Sequence, residues 1–389
     1  MIEGGKAGVP LRIKFISSHD PLNVQAFSGT VFHMGTALQQ AMPDIELIRA
    51  ARPVWFERFE KIVQTLTKGK HNPASWRGLN RYFARRLAGR WRGQRVVAIT
   101  VVISSLAGEL ATSVPVIHVS DATFDLMRNF YANVACLSDG AAAEAEEAER
   151  RCILKSVHNS FSSVWAARSA VSHYGAPEAN VSAISWGCNI ADVPGDQVRG
   201  ADPQRSVCKL LFLGADWIRK GGDVASAAAE ILQDRGVAVQ LDLVGSKPPE
   251  SLQRLPWIRN HGFLSKTDPK QVAQLNGLIR DADFLFLPTH QDCTPMVFAE
   301  ANAYGTPAVT RDVGGVADVV RDGKNGIVLP RDAVAADFAD AIEGAWRDTE
   351  SYMLLRENAR REYEDRLNWR SWAKAMHEVI HRLAAENRV

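Results

Sequence analysis

The segment Pro288–Val309, PTHQDCTPMVFAEANAYGTPAV, places two carboxylates, Asp292 and Glu300, eight residues apart around the start of a helix. A strand ends at Pro288, Thr294 takes the N-cap position and Pro295 the first helical position, and the helix runs to about Tyr304. Gly305 then ends it in a left-handed conformation, and Pro307 forbids continuation. The free N–H groups of the first turn, including those of Met296 and Val297, point toward the carboxyl end of a sheet. α/β proteins bind ligands there, and a helix N-terminus at that place attracts phosphate. A carboxylate inside the apolar stretch MVFAEANA is either a stray exposed position or a hook for hydroxyls, because two oxygens can accept two O–H donors. The plain alternative is a solvated Glu300 beside an ordinary loop Asp292.

A second cluster lies in GADWIRKGGD, Gly214–Asp223. Arg219 and Lys220 with the Gly221–Gly222 pair stand at a strand-to-helix loop, and cations beside flexible backbone suit a diphosphate. A basic turn of no function would look the same. In the N-terminal half, Ser28, Gly29 and Thr30 join the first strand region to a helix, so backbone there can approach phosphate or an acceptor, or simply turn. Lys68–Arg95 carries nine basic and no acidic residues, interleaved with Trp76, Tyr82, Phe83 and Trp91. It reads either as a peripheral contact to an anionic membrane surface or acidic acceptor, or as a helix with a packed aromatic face and a solvated basic one.

These residues need a scaffold that brings strand ends together, and the chain supplies one. Apolar runs rich in β-branched residues alternate with helical patterns, the signature of α/β architecture with mostly parallel sheets. LRIKFISS (Leu11–Ser18), RVVAITVVIS and VPVIHVS are strands of a first half, with a helix after Thr30. AAAEAEEAERRCILKSV, from Ala141, is a helix with an acidic exposed face. Gly187–Ser206, dense in Gly, Asp and Pro, reads as a linker. KLLFLGA, VQLDLVGS, ADFLFLPT and TPAVTRD are strands of a second half, a helix spans Gly222–Asp234, and the chain is helical from about Ala336. We expect an N-terminal α/β domain of residues 1–188, a C-terminal α/β domain of 189–368, and a helix of 369–389 able to return to the N-terminal domain. Two such halves put a cleft between them, a favoured place for ligands.

Composition excludes several classes. The 389 residues are 46% hydrophobic and 23% charged, which argues against disorder and fibrous repeats, and the length favours more than one domain. A net charge of +2 gives no global reason for nucleic-acid binding. Five scattered cysteines without a C-x-x-C pair argue against a disulfide framework or zinc site and for a reducing compartment. MIEGGKAGVP lacks the apolar core of a signal peptide, and no run is long enough to span a bilayer. A cytoplasmic protein is expected, peripheral at the inner membrane face only on the membrane reading of the basic segment.

Together, the segments Gly214–Asp223 and Pro288–Val309, continued by DVGGVADVVRDGKNGIVLP, resemble the nucleotide-sugar site of family 4 glycosyltransferases. These are retaining enzymes of the GT-B fold, two Rossmann-like parallel-sheet domains facing across a cleft. The family spaces two carboxylates as E-x7-E and follows the first strand of its C-terminal domain with Lys-Gly. Asp292 and Glu300 fill that spacing, with Asp for the first Glu, and Lys220-Gly221 fills the pair. The resemblance spans roughly Lys209–Pro330, extends more loosely to SWGCNI, and in the N-terminal half rests on FSGTVFHMGTALQQ and HVSDATF.

The resemblance implies that Glu300 binds the ribose hydroxyls, and that Asp292, with Cys293 and Thr294, holds the donor sugar. Lys220, Arg219 and the amides of Met296 and Val297 would take the diphosphate, and Ser28, Gly29 and Thr30 the acceptor or phosphate. Aligning HVSDATF with the strand that delivers the family's catalytic His puts Asp121 nearest that place, with His118 three residues earlier; core packing is the other reading of His118. The family's usual Arg after the strand-end Gly is Ala215 here, and Pro295 replaces a frequent Gly.

The implied activity is a hexosyltransferase-type transfer, with retention, from a nucleotide sugar donor to a hydroxyl of an unidentified glycan, glycolipid or small molecule. Positioning and stabilisation of the leaving diphosphate are its main demands, with domain closure excluding water. Lys220 and helix amides can supply that stabilisation without a metal or other cofactor, and no D-x-D motif stands at a strand end of the kind that recruits one. A GT-B sugar phosphorylase, a nucleotide-sugar epimerase and a non-catalytic nucleotide-sugar-binding protein remain alternatives. A Rossmann dehydrogenase is disfavoured, since no G-x-G-x-x-G follows the first strand.

Overall fold

The computed structural model describes residues 10–50, 52–191, 193–198 and 205–389. They divide into two compact units. One comprises the described residues through Ser185 together with Trp369–Val389, and the other spans Trp186–Asn368.

The first unit is built on a parallel sheet of β1 (Leu11–Ser17), β2 (Glu46–Arg49), β3 (Arg95–Val101), β4 (Val116–Ser120), β5 (His158–Phe161) and β6 (Val181–Ala183). Their order is β2-β1-β3-β4-β5-β6. Parallel neighbours require crossovers, and helices cover the sheet, so the central strands are apolar along their length: Val96 to Val101 are all buried. The polar strand β5, HNSF, escapes a search for apolar runs, yet it is wholly buried between β4 and β6. Some of its polar groups are met locally: His158 Nε2 meets Ser182 Oγ at 2.9 Å, and Asn159 Nδ2 donates to the Ile153 carbonyl at 3.0 Å.

The helix Asp139–Lys155 is capped by Ser138, whose Oγ accepts from the Ala141 N–H at 3.4 Å. Its acidic residues are not all on the outside. Glu149 is buried, at an inward position between the buried Ala148 and Cys152, and corrects the expected solvated acidic face. The last helix, Trp369–Ala385, buries Trp369, Trp372, Met376, Ile380 and Leu383, a spacing of three and four that forms one face, against the helix Thr30–Ala41. Beyond it, Arg388 donates to the Val157 carbonyl and to Asn180 Oδ1, both at 2.7 Å, and ties the C-terminus to the ends of β5 and β6.

The second unit has a parallel sheet of β7 (Cys208–Leu213), β8 (Val239–Val244), β9 (Ile258–Asn260), β10 (Phe284–Leu287), β11 (Ala308–Arg311) and β12 (Gly326–Leu329). Read across, the order is β9-β8-β7-β10-β11-β12. The chain builds outward from β7 in one direction, then returns to add β10 on the other side. The loops after β7 and β10 therefore diverge, and their carboxyl ends form the topological switch point at which such sheets bind ligands. The stretch expected to be a linker, Gly187–Ser206, is partly core of this unit: Cys188, Asn189 and Val193 are buried, and Arg360 Nη2 donates to the Val193 carbonyl at 3.0 Å. Residues 192 and 199–204 of that stretch lie outside the described residues.

Candidate functional site

The two clusters singled out in the C-terminal half emerge from the two strands of the switch point. Lys220 and Arg219 follow β7, and Asp292 follows β10. The loops are laced together. Arg219 Nη1 donates to the Gln291 carbonyl at 2.9 Å, while the Arg219 carbonyl accepts from the His290 N–H at 2.8 Å and from Thr289 Oγ1 at 3.2 Å. Lys220 Nζ forms an ion pair with Asp292 Oδ2, and both side chains are nearly buried. Gly221 makes this approach possible. Its φ is +77°, and a Cβ there would lie 2.2 Å from the Pro288 carbonyl oxygen, so no side chain fits where the two loops touch. The Lys220 stem in turn lies over Gly214, where a Cβ would come within 2.9 Å of its Cγ.

Glu300 is not a solvated helix residue. It is 1% exposed, its Oε1 is held by Lys266 Nζ, and its buried Oε2 has no hydrogen-bond partner among the described residues. Lys266 also reaches the Asn189 carbonyl at 3.5 Å. Burial and the Glu300 charge together push the neighbouring Cys188 thiol up to about 12, so it stays protonated. An ionised carboxylate taken out of water with one oxygen unmatched is costly unless a ligand completes it. Lys266 carries no motif and could not be singled out from sequence; SWGCNI, which contains Cys188 and Asn189, offered only a loose hint.

The helix that carries Glu300 starts one residue later than expected. It runs Met296–Ala303, with Pro295 at the N-cap position expected for Thr294. Proline lacks an N–H and has no side-chain acceptor, so the first helical amides are Met296 and Val297 themselves. Tyr304 closes the helix and Gly305 follows at φ +68°. Cys293 is buried and Thr294 half-buried, in the same loop as Asp292. The Asp281–Asp283 triplet enters β10 from its amino end. There Asp283 accepts from the Tyr352 hydroxyl and the Lys209 N–H, both at 2.8 Å, which makes it structural.

In the first unit, Asp121 is the first residue beyond β4, half-buried at the carboxyl edge of the sheet. His118 is different. It lies within β4, 1% exposed, with Nε2 3.8 Å from Glu149 Oε1. Burial opposes its protonation, but Cys152 and Glu149 outweigh burial and raise its pKa to about 10. The expectation that His118 could meet a substrate is corrected: it is a core group facing the helix Asp139–Lys155. Ser28 and Gly29 form a left-handed turn with Phe27, at φ +50°, +55° and +86° for residues 27 to 29, and Thr30 opens the following helix.

Residues 208–348 match the family described as glycosyl transferases group 1. The D-inositol 3-phosphate glycosyltransferase of Nocardia farcinica is 30% identical over 250 residues, 59% of this chain and 53% of that protein. The one of Geodermatophilus obscurus is 32% identical over 211 residues, 50% of this chain and 46% of that protein. The chain spans about half the length of the curated relatives it matches. Among solved structures, sucrose-phosphate synthase of Thermosynechococcus elongatus superposes with a TM-score of 0.67 at 16% identity, covering 96% of this chain and all (100%) of that one. Anabaena HepE in complex with UDP-glucose superposes at 0.60 and 14% identity, with coverage of 96% and 100%. Two units, each with a six-stranded parallel sheet, define the class: the fold is that of GT-B glycosyltransferases. Within that fold, residues 208–348 match the group 1 glycosyltransferase domain, and it is there that the chain is similar to the family 4-type enzymes.

Proposed function

We propose that the chain is a retaining glycosyltransferase that moves a sugar from a nucleoside diphosphate sugar to a hydroxyl acceptor. One observation carries this reading: the Lys220–Asp292 pair stands at the switch point while the buried Glu300 keeps an oxygen without a donor among the described residues. A ribose offers two vicinal hydroxyls, which match the open Glu300 oxygen. The diphosphate supplies the anion that draws Lys220, with Arg219 and the Met296 and Val297 amides beside it. Displaced from Lys220, Asp292 accepts from hydroxyls of the sugar, with Cys293 and Thr294 in the same loop. As the sugar–oxygen bond breaks, charge grows on the leaving diphosphate, and these fixed donors stabilise it without requiring a metal. Asp121 and the Ser28–Thr30 turn serve the acceptor side.

HepE was solved with UDP-glucose, which supports a uridine donor as the first to try. The relatives named for D-inositol 3-phosphate make a polyol phosphate the first acceptor. The test is a thermal-shift panel of UDP- and GDP-sugars, in which a donor at 100 times its Kd adds about 2.7 kcal/mol. Transfer is then followed with the stabilising donor, the anomeric configuration of the product is read by NMR, and EDTA should leave the rate unchanged. Stabilisation by no nucleotide sugar would overturn the reading. Binding without turnover would favour a non-catalytic nucleotide-sugar-binding protein, a second reading motivated by Ala215 and by an Arg219 already engaged with Gln291 and Asp216.

A further inference from the structure

The helix Val54–Leu66 turns one apolar face to solvent. Trp55, Phe59, Ile62 and Leu66 recur at steps of four, three and four, a single stripe on a helix, and they are 63%, 37%, 56% and 79% exposed. The helix is anchored from its other side. Phe56 is buried against Phe83 at a ring separation of 6.2 Å, and Glu57 and Glu60 pair with Arg49 and Arg52, each at 3.6 Å. The stripe is therefore not misplaced core. Trp76 extends it, 39% exposed with its ring 5.8 Å from that of Phe59. Single exposed apolar residues are ordinary, but a contiguous aromatic and aliphatic stripe marks a surface that meets something.

The charges around it say what. Arg58 and Lys61, both exposed, stand on the same helix, whose acids are tied to arginines. The following run Lys68–Arg95 carries nine basic residues and no acidic one, and all but Arg95 are exposed. Tyr82, 52% exposed, presents its hydroxyl to Arg86 at 3.1 Å. A second copy of this chain is a poor occupant, because a two-fold contact through the stripe would set these cations against their own counterparts. An anionic lipid surface suits both features. Apolar side chains enter the boundary between headgroups and acyl chains, and the cations meet lipid phosphates.

We propose that the helix Val54–Leu66 and the basic segment after it dock the protein onto an anionic phospholipid bilayer, lying in its interface. Among the described residues no helix is long and apolar enough to cross a membrane, so the contact is with one face. The contact goes beyond the transfer reaction and requires no donor or acceptor, so its test stands apart from that of the proposed function.

The test is co-sedimentation with phosphatidylcholine vesicles made with and without phosphatidylglycerol. The protein should pellet with the anionic vesicles, and rising salt should release it. The Ile62→Asp/Leu66→Asp variant changes only exposed positions and should keep its melting temperature, yet bind at least about tenfold more weakly. Arg58→Glu/Lys61→Glu should weaken binding to the anionic vesicles by a similar factor. The proposal is overturned if the wild-type chain ignores anionic vesicles or if the two double variants bind as it does. It is equally overturned if ultracentrifugation finds a dimer that Ile62→Asp/Leu66→Asp dissociates while no vesicle binding occurs.

Discussion

Lys220 and Asp292 lie 72 residues apart in sequence and form an ion pair where the loops after β7 and β10 meet. In the pair each group neutralises the other, and on the proposed function a ligand would separate them. The proposed function has a diphosphate compete for the lysine and sugar hydroxyls then replace it at the aspartate.

Lys220→Ala should lower the turnover rate at least about a hundredfold, since roughly 2.7 kcal/mol of lost transition-state stabilisation suffices. Arg219→Ala should cost nearly as much if its guanidinium leaves the Gln291 carbonyl for the phosphate, and almost nothing if it only laces the loops. The double variant separates the cases, because groups sharing one phosphate give non-additive losses. Full activity in Lys220→Ala would place the diphosphate elsewhere.

Glu300→Ala should weaken nucleotide binding by about 1.5–3 kcal/mol, the usual loss for hydrogen bonds to a charged group. Calorimetry on a variant with unchanged circular dichroism decides it. Lys266, which already occupies one oxygen of Glu300, should matter less, and Lys266→Met should leave more than a tenth of the affinity. Unaltered affinity in Glu300→Ala would sink the ribose assignment.

Much of the second unit could be read from its sequence because its strands are buried on both faces and therefore appear as unbroken apolar runs, as in Phe284–Leu287. The helix Gly222–Asp234 was legible to the residue. What stayed hidden has a common cause. β5 is polar, β2, β6 and β9 are three or four residues long, and burial of Glu149 and His118 follows from tertiary packing that no local pattern records. The carboxylate spacing was visible, but the lysine that meets Glu300 comes from a loop 34 residues away with no signature of its own.

Asp121→Ala should lower the turnover rate with donor affinity nearly intact, the pattern of an interaction made in the transition state. His118→Ala should act on stability instead. It leaves the buried Glu149 without its cationic neighbour, a loss of about 3–5 kcal/mol for a broken buried pair. Urea denaturation and steady-state kinetics on both variants distinguish the roles. A stable His118→Ala with reduced turnover would reverse them.

His158 links acidity to the docking of the C-terminal helix. It is 1% exposed in β5, and burial, then the charges of Arg382 and Arg388, outweigh Glu386 and depress its pKa from 6.5 to about 4. Its Nδ1 lies 3.5 Å from Arg382 Nη2, so a proton gained there would face a cation brought in by the returning helix. In the unfolded chain the same imidazole titrates normally. Above about pH 6.5 neither state binds the proton, and the native arrangement is at full stability. As pH falls from about 6.5 toward 4, only the unfolded state takes the proton, and stability declines by about 1.4 kcal/mol per pH unit. Below about 4 both states are protonated and this contribution levels off. His158→Gln keeps a side chain able to bond Ser182 and cannot titrate, so its stability should fall less than the wild type's between pH 6.5 and 5, by roughly 2 kcal/mol. The other histidines are common to both proteins, so the difference between the two curves isolates His158. Parallel curves of unfolding free energy for the two proteins would mean that His158 is not the group through which acid loosens the C-terminal helix.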